Sequence, residues 1–149
     1  MAAESVFLDT SLVVAASVQS HPAYLASLSF FAQLVESRAI PCISPQVCRE
    51  FIVSLTRAPI GGQVHTTAEA LTALDEWLAA ATLLFDDQVV QRHWERLVEK
   101  YGVRGKQVHD TYVVATMLGN GVGVLATRNR ADFDRYVPEG IRIVGPTTH

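Results

Sequence analysis

Short apolar runs alternate along this chain with stretches of helical periodicity, and no other feature limits the possible folds so strongly. Val6-Phe7-Leu8 is a buried-strand signal that ends on Asp9, and further strands are expected at residues 40–43, 82–85, 122–126 and 141–144. Between them lie helical patterns. Tyr24, Leu28, Phe31 and Val35 recur on one helical face, preceded by Ser20-His21-Pro22, which reads as a cap and an early proline. Ser44-Pro45 opens a helix to about Thr56, and Thr66 or Thr67 opens another through Ala80. Residues 88–101 form an amphipathic helix closed by Gly102, and a helix over 108–118 stops at Gly119-Asn120-Gly121. Pro41 suggests an edge strand or an early position in one. Parallel neighbours need crossover connections, so this alternation implies a doubly wound α/β sheet. In such sheets the ligand site lies beyond the carboxyl ends of the strands. Asp9 stands at one such end, and Thr127-Arg128-Asn129 at another.

A chain of 149 residues is expected to form one domain, 1–149, with a substantial core. Its hydrophobic fraction of 49% and charged fraction of 18% are those of a globular protein and exclude a disordered chain. Residues 10–35 carry no formal charge, yet Ser11, Ser17, Gln19, Ser20, His21, Pro22, Ser27 and Ser29 divide them. Two helices packed in a domain, with no membrane span, are therefore expected. The N-terminal run has no basic region and Asp9 interrupts it, which argues against a signal peptide. Cys42 and Cys48 fit neither a disulfide framework nor a zinc site, so a reducing cytoplasm is the expected location. Charge is uneven: residues 1–91 hold three basic groups against nine acids, and residues 92–149 hold nine against six. The basic half is either a footprint for phosphates or a solvated helix face carrying Arg92, Arg96 and Lys100.

The acids carry the chemistry. Asp110 falls within the stripe of Val113, Val114 and Met117, and an inward acid is costly unless something charged or hydrogen-bonding meets it. It is a satisfied buried acid, a first-turn acid favoured by the helix dipole, or part of a site. Asp9 is a plain N-cap or a second member of that site. Two acids at one sheet end want a cation, and carboxylate oxygens suit Mg²⁺ or Mn²⁺. Periodicity places Glu50 away from the apolar stripe of its helix (Val47, Cys48, Phe51, Ile52, Leu55), as a solvated residue paired with Arg49 or Arg57. After the fourth strand, Asp132 is a further candidate, while Asp134 is as readily paired with Arg130 or Arg135.

In this order the residues resemble PIN-domain nucleases and, within them, the VapC-like toxins of type II toxin–antitoxin systems. The resemblance runs through Phe7-Leu8-Asp9-Thr10-Ser11, Arg49-Glu50-Phe51, and His109-Asp110-Thr111-Tyr112-Val113-Val114-Ala115-Thr116-Met117. It continues with Val124-Leu125-Ala126-Thr127-Arg128-Asn129 before Ala131-Asp132-Phe133. It implies a three-layer fold with a central, mostly parallel five-stranded sheet flanked by helices. It implies a divalent-metal-dependent ribonuclease whose catalytic residues are Asp9, Glu50, Asp110 and Asp132, with Asp9 and Asp110 holding Mg²⁺ or Mn²⁺. Glu50 is thereby raised from a surface residue to a site member. Asn129 stands where many relatives have an acid, so the fourth position is open among Asp132, Asn129 and Asp134. Thr127, Arg128, Asn129 and Arg130 are expected to face the RNA, the first as a hydrogen-bonding partner of the cluster and the arginines as phosphate contacts. Expected partners are single-stranded or loop RNA, an antitoxin protein and a second copy of the chain. The exposed apolar positions of the 24–35 and 66–80 helices suit a partner groove or else face the core. A PIN-fold module that binds RNA or protein without catalysis is the alternative.

Other strand-end-acid enzymes fit less well. A haloacid-dehalogenase-type phosphatase needs a second Asp where Ser11 stands. The glycines of 119–123 follow a helix and enter a strand, the reverse of a dinucleotide-binding turn. A receiver-like domain wants an acid pair after its first strand, whereas Asp86-Asp87 follows the third. The five histidines show no metal-ligand spacing.

Overall fold

A computed structural model describes residues 3–147. Five parallel strands form the sheet: β1 (Ser5–Leu8), β2 (Ile40–Ile43), β3 (Thr82–Leu83), β4 (Val124–Ala126) and β5 (Arg142–Val144), in the order β3-β2-β1-β4-β5. The connecting helices are α1 (Thr10–Ser17), α2 (Tyr24–Glu36), α3 (Pro45–Arg57), α4 (Thr67–Ala80), α5 (Gln88–Tyr101) and α6 (Gln107–Gly119). Two 3₁₀ turns, Arg130–Asp132 and Asp134–Glu139, link β4 to β5. The expected α/β class with a parallel sheet is what forms. Phe7, Leu8, Ile43, Leu125 and Met117 are fully buried in the core.

Local signals set most helix ends. The Ser44 hydroxyl accepts from Val47 N with Pro45 in the first turn, and Thr66 forms a reciprocal capping box with Glu69. Gly102 ends α5 at φ 60°, a left-handed cap that favours glycine. Gly119 is required for a different reason: a Cβ there would lie 2.8 Å from Val90 Cγ2, so its absence lets α6 close against α5.

Three local expectations need correction. The second helix starts at Tyr24 rather than behind a Ser20 cap. Ser20 Oγ instead donates to the Ile60 carbonyl at 2.7 Å, and His21 Nδ1 accepts from Ala23 N at 2.9 Å. Pro41 takes the expected early strand position: it is the second residue of β2, in register with Val6 of β1, and β3 pairs with β2 only from Cys42 onward. The third strand stops after Leu83, because the backbone N–H and carbonyl of Phe85 pair with the side-chain amide of Asn120 at 3.0 and 2.9 Å. The basic face of α5 is not merely solvated: Arg96 and Lys100, with the Tyr101 hydroxyl, bind the nearly buried carboxylate of Glu139 at 2.6–3.0 Å.

Residues 10–35 form two helices joined by a short connection, and among the described residues no helix is long and apolar enough to cross a membrane.

The strand order positions the site. From β1 the chain crosses to β2 and then β3 on one side, and returns to place β4 on the other side of β1. The crevice at the carboxyl ends of β1 and β4 is therefore the point where the winding reverses, the place where open α/β sheets bind ligands.

Candidate active site

Asp9 leaves β1 at this crevice. Its backbone N–H donates to the Ala126 carbonyl at 2.9 Å, which locks it beside the end of β4, where Thr127 emerges. Asp9 occupies the N-cap position of α1 but makes no side-chain cap bond. Its Oδ2 instead accepts from Ser11 Oγ and Thr127 Oγ1, both at 2.8 Å, and Oδ1 receives neither hydroxyl. Only 8% of Asp9 is exposed. Burial pushes its carboxyl above the ordinary value, against the two hydroxyl bonds, and the negative charge of Glu50 adds to the rise.

Asp110 enters from the first turn of α6 and is half-buried. Its carboxyl is raised to about 6, first by burial and then by repulsion from Asp132, Asp9 and Glu50. The four expected acids therefore converge near enough to act on one another. Glu50 is not the solvated, arginine-paired residue that periodicity implies. Its Oε1 accepts from Thr10 Oγ1 at 2.7 Å and its Oε2 from Gln46 Nε2 at 3.3 Å. The packing of α3 on α1 turns toward the crevice a residue that its own helix would leave in solvent.

Asp132 lies in the first 3₁₀ turn, exposed, and its charge acts on Asp110 more strongly than those of Asp9 and Glu50. Asp134 instead pairs with Arg130 Nε at 3.4 Å. Arg130 also donates from Nη1 to the Ile143 carbonyl at 3.0 Å, so its guanidinium serves the fold. The 127–129 loop is tied to the cluster through its backbone: Arg128 N donates to Ser11 Oγ at 3.3 Å and Asn129 N to Thr127 Oγ1 at 3.0 Å. The side chains of Arg128 and Asn129 lie at the exposed rim.

Three contributors escape sequence reasoning. Thr10 and Ser11 hold Glu50 and Asp9, a role signalled only by two hydroxyls directly after a strand-end acid. Gln46, 6% exposed, bridges α3 to α6 by donating to Glu50 and, at 2.9 Å, to the His109 carbonyl. A polar residue four before Glu50 on a buried face was the available signal. Its Oε1 is buried and has no hydrogen-bond partner among the described residues.

The donor set suits a hard cation: burial and then mutual repulsion raise the Asp110 carboxyl to about 6, and positive charge would relieve both. Among the described residues no group of three or more His, Cys, Asp or Glu side chains is arranged to hold a metal by itself. Mg²⁺ keeps several waters and takes one or two carboxylates, so it asks for no complete cage of side chains.

A sequence profile of the PIN domain matches residues 6–137. The chain belongs to the PIN-domain family. No curated protein matches it in sequence. Among solved structures, the PIN fold seen here is similar to a chain of VapBC2 from Rickettsia felis, solved bound to a promoter DNA fragment. The TM-score is 0.69 at 16% identity, covering 96% of this chain and 99% of that one. A chain of DNA-bound VapBC from Salmonella typhimurium gives a TM-score of 0.67 at 18% identity, covering 95% and 98%. VapC20 of Mycobacterium tuberculosis, a toxin that cleaves the sarcin–ricin loop, gives 0.59 at 20% identity, covering 80% and 86%. Likeness at these identities establishes the PIN fold.

Proposed function

We propose that this PIN-domain chain is a divalent-metal-dependent endoribonuclease and the toxin of a toxin–antitoxin pair. The observation that carries the reading is the convergence of Asp9, Glu50, Asp110 and Asp132 at the switch point of the sheet, expressed in the raised carboxyl of Asp110. Asp9 and Asp110 would hold Mg²⁺ or Mn²⁺. A bound ion would supply charge against the phosphate and acidify a water. The chain's own residues do the rest. Thr127 and Ser11 fix the Asp9 carboxylate, while Thr10 and Gln46 fix Glu50. Glu50 or Asp132 would then orient the attacking water or take its proton. The exposed Arg128 and Asn129 stand at the rim as contacts for the strand.

RNA as substrate is supported by the relative that cleaves the sarcin–ricin loop, and an antitoxin partner by the VapBC complexes. A groove of about 310 Å³ between α2 and α4, lined by Tyr24, Leu28, Phe31, Ala73 and Trp77, offers an apolar seat for such a partner. Leu25 and Val35 on α2 and Leu71 on α4 are exposed apolar positions of the kind a homodimer or antitoxin would cover. A PIN-fold binding module without catalysis is the second reading, favoured by the apolar groove between α2 and α4.

Incubation of the purified protein with structured cellular RNAs, with Mg²⁺ or Mn²⁺ and with chelator, separates them. Cut ends that need metal and vanish in Asp110→Asn and Asp9→Asn are expected. Near-normal cleavage by either variant would remove the carboxylate site, and binding without cleavage would favour the module.

A further inference from the structure

A second concavity of about 430 Å³ adjoins the acid cluster, bounded by Gln46 and Arg49 of α3, Asp86, Trp94 of α5, and His109 and Tyr112 of α6. Its size is that of small-ligand sites, roughly 300–1,000 Å³. It shares a wall with the acids, since Gln46 Nε2 reaches both Glu50 and the His109 carbonyl, and His109 immediately precedes Asp110. Trp94 and Tyr112 stand with ring centroids 5.8 Å apart and planes at 59°. Their polar ends are already used: Trp94 Nε1 donates to the Val108 carbonyl at 2.9 Å, and the Tyr112 hydroxyl donates to the Asp86 carboxylate. What they have left to offer is ring surface. Arg49 is exposed and forms no ion pair among the described residues.

We propose that this cavity is a nucleobase subsite, receiving an unpaired base of the strand next to the bond cut at the acids, with an adjacent phosphate on Arg49. The inference rests on the ribonuclease reading above. Unpaired bases are held by stacking on aromatic side chains, and their backbone by arginine and lysine. Ring surface and a free guanidinium within one cavity, one residue from Asp110, match both halves of a nucleotide. The groove between α2 and α4 is also aromatic, but it carries Glu76 with no basic residue beside it and none of the residues that adjoin the acid cluster, which suits RNA poorly.

The chain has two tryptophans, so Trp77→Phe leaves Trp94 as the sole indole reporter. In that protein, carrying Asp110→Asn to prevent cutting and supplied with Mg²⁺, a single-stranded RNA dodecamer should quench Trp94 emission saturably. An abasic sugar–phosphate dodecamer should bind more weakly and leave the emission unchanged. Tyr112→Leu, checked for its fold by circular dichroism, should weaken the base-bearing strand roughly tenfold and the abasic strand little. Arg49→Gln, an exposed change, should weaken both. RNA binding without quenching, or with Tyr112→Leu affinity equal to the parent, would overturn the subsite and leave the ribonuclease reading standing. Conversion of a dimer to monomers by these variants at unchanged RNA affinity would assign the cavity to a second copy instead. Failure of the parent protein to bind RNA at all would remove the subsite and the ribonuclease reading together.

Discussion

Thr127 Oγ1 donates to Asp9 Oδ2 at 2.8 Å, joining the ends of β4 and β1 across 118 residues of sequence. The same hydroxyl oxygen accepts from Asn129 N at 3.0 Å, so one buried threonine both steadies the acid and shapes the loop beyond it.

Thr127→Val keeps the shape and removes both bonds. A hydrogen bond to a charged group contributes roughly 1.5–3 kcal/mol, and the stranded Asn129 amide adds to the loss. Denaturant unfolding in chelator should show destabilisation of that order, and cleavage should need more Mg²⁺ for half its maximum, because Asp9 loses a bond that favours its ionised form. Thr127→Ser should restore both. A valine variant as stable and as metal-responsive as the parent would exclude this role.

The two acids after β4 should behave differently. Asp132 acts on Asp110, whereas Asp134 pairs with Arg130 where both are largely exposed. Exposed pairs of this kind contribute about 0–1 kcal/mol. Cleavage rates should fall strongly for Asp132→Ala and little for Asp134→Ala, and the reverse order would move the fourth site position by two residues.

Neutralising Asp9 should stabilise the metal-free protein. Its carboxyl is raised by burial and by Glu50, so the charged form strains the fold near neutral pH. In chelator at pH 7.5, Asp9→Asn should melt several degrees above wild type, given roughly 2–4 °C per kcal/mol for domains of about this size. Adding Mg²⁺ should raise wild type more than the variant, since an ion that binds only the folded state stabilises it in proportion to occupancy. Equal melting in all four conditions is the result a plain N-cap would give.

Acidification should stabilise the metal-free protein through Asp110. Its folded value of about 6 lies above the ordinary 3.8, so the folded state holds the proton more tightly than the unfolded chain. The contribution therefore falls as pH rises from about 3.8 through 6, and is constant above. Glu139 acts in the other sense: held at about 2, it loses its stabilisation only as pH falls below its ordinary value of 4.5. His21, lowered by burial and Arg128, opposes below its ordinary value of 6.5. Subtracting Asp110→Asn cancels both. Melting temperatures in chelator across pH 4–8 should show the variant's advantage widening up to about pH 6.5 and then levelling; a constant gap would contradict the raised carboxyl.

Much of this molecule is written in local sequence. Ser44-Pro45, Thr66 with Glu69, and Gly102 mark helix ends because capping uses groups within three or four residues of one another. The apolar runs mark strands, and Asp9 is visible as an acid where a buried strand ends. Asp110 stands out because an acid in an apolar stripe demands a partner. Glu50 does not stand out, because periodicity describes a helix against an unspecified core and is blind to Thr10 on a neighbouring helix. Pro41 is legible as an early strand position, because β3 pairs with β2 only from Cys42 onward.

The sequence by itself determined the class of fold, most element boundaries and the identity of the acids, since hydrophobic period and capping are short-range. Tertiary structure alone decided which acids meet. The placement of β4 beside β1 brings Thr127 to Asp9, and the docking of α3 on α1 turns Glu50 inward. The Arg130–Asp134 pair, four residues apart, was by contrast within reach of local reading, while the action of Asp132 on Asp110 needed the fold. The Thr10–Glu50 and Asp9–Thr127 contacts join residues 40 and 118 positions apart, set by how whole elements pack, and no local pattern encodes them.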